Sequence, residues 1–348
     1  MMEIKVFARM ADANLNRARE GLRVMEDVAR FILQESSLTE RVREARHKLR
    51  QAAALLPFEC LTARDVKEDP GVDFPEEPHP SAGALAISNA RRVQEAARVL
   101  EETARFAAPE VAGDFKRLRF LAYELEQLFA ARLSLKEKAS FLKRLRLYVI
   151  VGSAHTSGRP VVDVAREAIR GGAQIIQLRE KELPARDFLA SARALREVTA
   201  KAGVPLIIND RADIAAAVGA DGVHLGQEDL PPAAARRLLG ERAIIGVSTH
   251  SVSEALRAEK EGADYIGFGP VFPTKTKPEC AARGVEALKE VLGQVRLPVV
   301  AIGGITPANL PQVLGAGARR VAVVSAVAGA ANVAAEAALL LKMLEGFN

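Results

Sequence analysis

The sequence has few cysteines, no long apolar run and no large surplus of charge of either sign. Cys60 and Cys280 are far apart and show no metal-ligand spacing, so we expect free thiols in a cytoplasmic protein rather than a disulfide framework or a zinc site. No apolar stretch reaches the roughly 18 residues of a membrane helix, and the first residues lack a signal-peptide pattern. The net charge of +5 is spread about evenly along the chain, which argues against a nucleic-acid partner.

The length and the change of pattern along the chain indicate two domains. A chain of 348 residues, 49% apolar and 27% charged, is globular in composition and too long for one ordinary core. Helical periodicity prevails up to about residue 140, after which short β-branched runs alternate with alanine-rich helical segments. We therefore predict an all-α helical-bundle domain over residues 1–140 and an α/β domain over residues 141–348.

The first part contains an internal repeat. Residues 14–31 align without gaps on residues 89–106, with nine identical positions at a constant offset of 75. Each copy precedes a second helical stretch, 38–56 in one case and 114–133 in the other. The pattern predicts two helical hairpins that pack as a bundle.

Within the first copy, apolar residues recur at helical spacing and predict a buried face made of Ala18, Gly21, Met25, Val28 and Ile32. Asn14 and Arg17 fall near the end of this face, and Asn89 and Arg92 are their equivalents in the second copy. Such polar groups either satisfy one another across the bundle or line a site. Three carboxylates in the intervening loop, Asp65, Asp69 and Asp73, either bind a cation or cap helices.

The second part shows eight short β-branched runs, each followed by a helical segment. The runs cover residues 147–151, 174–178, 205–208, 222–225, 244–247, 265–267, 299–302 and 320–324. Eight such units in about 200 residues are typical of a (β/α)8 TIM barrel. An open doubly wound sheet is disfavoured because no G-x-G-x-x-G motif follows the first strand.

In such a barrel the chemistry lies where the strands end. Side chains alternate along a strand, so Gln177, Arg179 and Lys181 share one face, while Leu178 and Glu180 take the other. An arginine and a lysine on one face carry uncompensated charge unless an anion binds there, and both are suited to phosphate oxygens.

Two aspartates follow neighbouring strands. Asp210 and Asp229 are hard oxygen donors of the kind that bind Mg²⁺ together with phosphate oxygens and water. Hydrogen-bond donors from Gln177, Arg179, Lys181, Asn209, Ser248 and Lys277 complete a predicted pyrophosphate site.

A second anion site is predicted after the last two strands. Gly303-Gly304 and Val324-Ser325 occupy the position where barrels often bind phosphate through backbone N–H groups. His224 and His250 could act as bases, but a structural role is favoured for both.

At these positions the second part closely resembles the thiamine-phosphate synthase family. The resemblance is carried by residues 177–181, 209–210, 221–229, 246–248, 269–277 and 303–305. It implies a barrel enzyme that joins hydroxymethylpyrimidine diphosphate to thiazole phosphate. It also implies that the pyrimidine diphosphate is bound by Gln177, Leu178, Arg179, Glu180, Lys181, Asn209, Ser248 and Lys277, with Mg²⁺ on Asp210 and Asp229. The thiazole phosphate would be bound by Thr274, Lys275, Thr276, Gly304, Val324 and Ser325.

We predict three catalytic residues, Lys181, Ser248 and Lys277. They would stabilise the charge on the departing pyrophosphate. No protein nucleophile is required, in agreement with the lack of a convincing Cys/His or Ser/His pair in the sequence. We expect small phosphorylated molecules as partners, no nucleic acid and no membrane, and the oligomeric state is left open.

The N-terminal part resembles a domain that is fused to some members of this family. The resemblance is carried by residues 14–24 and by the Ala63-Arg64-Asp65 loop. It implies a kinase for hydroxymethylpyrimidine phosphate, although no glycine-rich Walker loop independently indicates ATP binding. The alternative is a thiazole tautomerase-like barrel with a non-catalytic helical module for dimerisation or interaction.

Overall fold

The computed structural model describes residues 2–57, 78–274 and 280–347, with side chains from residue 5 onward. The chain divides into two compact units, Met1–Glu137 and Lys138–Asn348. The first is helical and the second contains a closed eight-stranded barrel, so the predicted fold class is confirmed. Cys60 and the predicted loop carboxylates Asp65, Asp69 and Asp73 lie outside the described residues.

The helical unit follows the repeat. Its helices are α1 (Met2–Asp27), extended by a π-helical turn (Val28–Leu33), then α2 (Ser36–Ala54), α3 (Ala82–Ala107) and α4 (Pro109–Arg144), which continues past the unit's end. The predicted apolar face is buried at Ala18, Met25 and Val28. Phe7 stacks on Phe106, and Gly21 meets Val93, so α1 and α3 run antiparallel.

The two copies repeat their polar contacts as well as their apolar ones. Asn14 donates to the carbonyl of Met10 at 2.8 Å, and its equivalent Asn89 donates to the carbonyl of Leu85 at 2.9 Å. Both asparagines are buried. Each amide therefore bonds to its own helix four residues back rather than to its counterpart across the bundle.

Each copy also buries a glutamate at an equivalent position. Glu26 accepts hydrogen bonds from Arg43, at 2.9 Å, and from Arg46, both in α2. Glu101 accepts two from Arg119 of α4, at 3.1 and 2.9 Å, and one from Arg105. The first helix of each hairpin is thus tied to the second by a buried carboxylate with arginine partners.

Gly21 sets the spacing of α1 and α3. A Cβ at this position would lie 2.8 Å from Cγ2 of Val93 and 3.0 Å from the carbonyl oxygen of Asn89. We expect Gly21→Val to destabilise the helical unit by about 1–2 kcal/mol, because the backbone oxygen of Asn89 cannot yield without moving α3. Faster hydrogen exchange in peptides from α1 and α3 would report this change.

Gly113→Ala is the matched control, since a Cβ there would meet only an arginine side-chain nitrogen at 3.5 Å. Alanine should be neutral or slightly stabilising at that helical position. If hydrogen exchange in α1 and α3 is unchanged in Gly21→Val, the stability of these two helices does not depend on their close approach at Gly21.

The barrel strands are parallel neighbours in chain order and close between the last and the first. The strands are β1 (Leu147–Val151), β2 (Ile175–Leu178), β3 (Leu206–Asn209), β4 (Gly222–Leu225), β5 (Ile244–Thr249), β6 (Tyr265–Phe268), β7 (Val299–Ile302) and β8 (Val321–Val323). The helices are α5 (Val161–Arg170), α6 (Ala185–Ala202), α7 (Ala212–Val218), α8 (Pro232–Leu239), α9 (Val252–Lys260), α10 (Gly284–Gln294), α11 (Leu310–Gly315), α12 (Ser325–Ala328) and α13 (Val333–Glu345).

Alternation along each strand divides the barrel core into two layers. The side chains on one face of the strands pack against the helices, as Leu178 of β2 does in the cluster that also contains Phe188 of α6. The other fills the interior, where Ile175, Tyr148 and Tyr265 meet Leu142 from the end of α4. A cavity lies toward the carboxyl ends of the strands, where a site is expected in such a barrel. In the described part of the chain, no helix is long and apolar enough to cross a membrane.

Candidate functional site

The barrel opens at the carboxyl ends of its strands into a cavity of about 130 Å³. The predicted site residues that line it are Gln177, Arg179, Asn209, Ser248, Thr274, Gly304, Val324 and Ser325. They follow six different strands or loops, so the barrel brings together groups that are distant in sequence. Lys275, Thr276 and Lys277 lie outside the described residues.

The structure shows the predicted alternation of side chains between the two faces of β2. Gln177 is buried and donates to Oδ1 of Asn209 at 2.7 Å, while Leu178 packs in the layer beneath the helices. Glu180 accepts from the backbone N of Ser153 at 2.7 Å and from its hydroxyl at 2.8 Å. The side chains of Leu178 and Glu180, both predicted to bind substrate, therefore face away from the cavity and support β2 and the loop after β1.

The two predicted metal ligands are neighbours. The carboxyl groups of Asp210 and Asp229 are within hydrogen-bonding distance, and burial followed by this contact raises the pKa of Asp229. Backbone N of Gly226 donates to Asp229 at 2.6 Å, and Lys181 donates to Asp210. Asp210 has a φ of 61°, a left-handed conformation that aspartate tolerates better than most residues and that often marks functional sites.

Two carboxylates in contact are stabilised by a nearby proton or cation. Lys181 supplies one positive charge here, and this pair of hard oxygen donors also fits Mg²⁺. Among the described residues, no group of three or more His, Cys, Asp or Glu side chains could hold a metal. The chain would thus contribute two carboxylates, and substrate oxygens and water would supply the other ligands, as is usual for Mg²⁺ at phosphate sites.

Two glycines form the wall of the cavity after β7. Gly303 and Gly304 have φ values of 100° and 65°, and a Cβ on Gly304 would lie 2.5 Å from the carbonyl oxygen of Pro273. Both the backbone conformation and the lack of space require glycine. Val324, which caps the short helix α12, and Ser325, the first residue of that helix, also line the cavity.

Sequence reasoning missed the cavity's floor. Tyr148 and Tyr265 are fully buried in β1 and β6, and their hydroxyl oxygens lie 2.9 Å apart. His224, for which a structural role was favoured, lies 2.9 Å from the hydroxyls of both Tyr265 and Ser248. The available signal was that a tyrosine inside a barrel strand must find a partner for its hydroxyl.

Comparisons with known proteins match both parts of the chain. Residues 147–327 match the family model of thiamine monophosphate synthase, and residues 9–128 match that of the ThiD2 family. A thiamine-phosphate synthase from Gloeobacter violaceus is 41% identical over 99% of this chain and 98% of its own length. One from a Synechococcus strain is 41% identical over 92% of this chain and 90% of its own length.

Among solved structures, a thiamine phosphate pyrophosphorylase from Pyrococcus furiosus is similar, with a TM-score of 0.55 and 42% identity. The match covers 59% of this chain and 98% of that one.

Proposed function

Because the chain belongs to the thiamine-phosphate synthase family, we propose that its barrel joins an aminopyrimidine methyl diphosphate to thiazole phosphate and releases pyrophosphate. The observation that carries this assignment is the contact between Asp210 and Asp229, with Lys181 beside them. These residues follow β3, β4 and β2, at the same end of the barrel as Gly303 and Gly304, which follow β7. A carboxylate pair with a lysine suits a diphosphate and its metal, and a glycine-lined wall suits a second phosphate.

The reaction breaks the bond between the pyrimidine's methylene carbon and the diphosphate oxygen, which keeps the electron pair. The thiazole nitrogen then forms its bond to that carbon. Arg179, which lines the cavity, and Lys181, which pairs with Asp210, would donate to the departing oxygens and stabilise their growing charge. Asp210 and Asp229 would hold Mg²⁺, which when bound supplies further neutralisation of the diphosphate.

Asn209 and Gln177 contribute to orienting the pyrimidine ring. Both side chains are buried in the cavity floor, and Nδ2 of Asn209 has no hydrogen-bond partner within the described residues. A buried donor of this kind is costly unless a ligand accepts from it. The ring nitrogens of an aminopyrimidine are suitable acceptors.

A thiazole tautomerase is the rival activity for such a barrel. That reaction uses a thiazole phosphate but needs no metal-bound diphosphate. In that reaction the paired oxygen donors of Asp210 and Asp229 would have no metal-bound diphosphate to hold. The carboxylate pair therefore supports the synthase.

For the helical unit we propose phosphorylation of hydroxymethylpyrimidine phosphate, which would produce the diphosphate that the barrel consumes. The supporting observation is the match of residues 9–128 to the ThiD2 family. The alternative is a non-catalytic module for dimerisation or interaction.

The full-length chain tests both proposals. With the two barrel substrates and Mg²⁺, we expect thiamine phosphate and pyrophosphate in equal amounts, and we expect EDTA to stop their formation. With ATP and hydroxymethylpyrimidine phosphate alone, we expect ADP and the pyrimidine diphosphate. Coupling that continues without any divalent ion would overturn the magnesium assignment, and a lack of ADP formation in a chain that still couples would favour the non-catalytic module.

A further inference from the structure

Six side chains form a continuous hydrogen-bonded chain across the floor of the barrel cavity, and we define them here as the floor network. The contacts are Ser248 to His224 at 2.9 Å, His224 to Tyr265 at 2.9 Å, Tyr265 to Tyr148 at 2.9 Å, Tyr148 to Gln177 at 2.7 Å and Gln177 to Asn209 at 2.7 Å. The network therefore connects Ser248, on one wall of the cavity, with Asn209 on another.

The direction of donation along the floor network follows from its Gln177 end. Tyr148 donates to Oε1 of Gln177, so its single proton is used and its oxygen can only accept from Tyr265. The hydroxyl of Tyr265 in turn accepts from Nδ1–H of His224. A neutral imidazole with its proton on Nδ1 accepts at Nε2, and in that state Ser248 donates to it.

Both phenols keep their protons in this arrangement. Burial, and then the neighbouring Tyr265, raises the pKa of Tyr148 well above its usual range. Burial likewise raises the pKa of Tyr265. Neither hydroxyl ionises near neutral pH. Each therefore supplies one hydrogen-bond donor, and the direction of donation set at Gln177 continues through both tyrosines to His224.

The fold makes room for these contacts with a glycine. A Cβ on Gly246 would lie 2.4 Å from the hydroxyl oxygen of Tyr265 and 2.5 Å from Nδ1 of His224. Gly246 pairs with both His224 and Tyr265 in the register of the sheet. The contact between phenol and imidazole thus exists only because β5 carries no side chain at this point.

We propose that Tyr148 and Tyr265 are positioning residues that fix the tautomer of His224 with its proton on Nδ1, and with it the direction of the Ser248 hydroxyl. Ser248 then meets the substrate through its oxygen lone pairs, while Asn209 at the other end presents an N–H donor. If an acceptor atom of the pyrimidine bonds to the N–H of Asn209, it would stabilise this direction of donation along the floor network. The inference rests on the proposed function, because it takes the pyrimidine as the group bound at the cavity floor.

The first test is the tautomer of His224 in the full-length protein. Imidazole ¹⁵N chemical shifts in histidine-labelled protein distinguish Nδ1–H from Nε2–H, and a His224→Gln variant assigns the signal among the five histidines. We expect Nδ1–H. A signal from Nε2–H would overturn the proposal without any variant of the tyrosines and without bearing on the synthase activity.

The second test removes single hydroxyls. We expect Tyr265→Phe to mix the tautomers of His224 and to lower kcat about tenfold, which is the loss of one buried hydrogen bond, with a smaller change in KM. Tyr148→Phe should have a similar effect, and the double variant should be little worse than either single one, because both break the same chain. Tyr123→Phe is the control, since Tyr123 lies in the helical unit and is 38% exposed.

An unchanged His224 tautomer in Tyr265→Phe, or fully additive losses in the double variant, would overturn the positioning role. Either result could be obtained with an enzyme that still makes thiamine phosphate, so the proposed function would stand. A wild-type protein that does not couple the substrates would instead refute the function. If Tyr265→Phe fails to fold, Tyr148→Phe and the wild-type tautomer still decide the question.

Discussion

Asp210→Asn is expected to lower the rate of pyrophosphate release about 100-fold or more while leaving the fold intact. Asparagine keeps the shape of the side chain and tolerates the left-handed backbone at φ 61°, so the variant removes charge without adding strain. The remaining carboxylate, Asp229, would hold a divalent ion alone, and Lys181 would lose its partner. Initial rates of pyrophosphate release at saturating magnesium measure the effect.

Asp213→Asn is the matched control, because Asp213 lies three residues further along the chain. Its side chain is 61% exposed and pairs with Arg211 rather than with the acid pair. Its variant should retain nearly full activity. Lys181→Ala should resemble Asp210→Asn, since Lys181 contacts the same carboxylate. Near-normal release by Asp210→Asn would remove Asp210 from the site, and equal losses in both aspartate variants would point to a general structural effect.

The barrel could be predicted from the sequence because its strands are short β-branched runs. Strand geometry also fixes the alternation of side chains between the two faces of each strand. The same alternation placed Gln177 and Arg179 in the cavity. It also placed Leu178 and Glu180 on the opposite face, and the resemblance that assigned these two to the substrate could not separate side-chain contacts from backbone ones. Positions at strand ends were therefore predictable, whereas the function of each side chain depended on the direction in which it points.

The floor network could not be predicted, since its bonds join side chains of six different strands. Tyr148 and Tyr265 have the apolar rings expected of buried strand residues, and nothing local indicates that their hydroxyls meet. The helical unit presents the same difficulty. The repeat predicted two equivalent hairpins, but the identity of the arginine that pairs with a given glutamate depends on how the helices pack.

The buried glutamates lead to the second large effect, which is on stability. Glu101 is 1% exposed and is held by Arg119, which is 16% exposed, together with the more exposed Arg98 and Arg105. We expect Glu101→Gln to destabilise the helical unit by about 3 kcal/mol, because the partly buried guanidinium of Arg119 would lose its counter-charge. Urea unfolding, with hydrogen exchange in peptides from α3, measures the loss. Glu102→Gln is the control, since Glu102 is 47% exposed and its ion pairs lie in water.

The same pair predicts how this contribution depends on pH. Burial alone would raise the pKa of Glu101, but the hydrogen bond and charge of Arg119, with the charges of Arg98 and Arg105, outweigh it and lower the pKa below the usual 4.5. A carboxyl whose pKa is lower in the folded state stabilises the fold above its unfolded pKa and loses that contribution as the pH falls. The difference in stability between wild type and Glu101→Gln should therefore be constant near neutral pH and shrink below about pH 4.5. If the difference in unfolding free energy stays the same down to pH values at which Glu101 is protonated, the ion pairs contribute nothing to stability. Glutamine would then be unfavourable at this position for its shape alone.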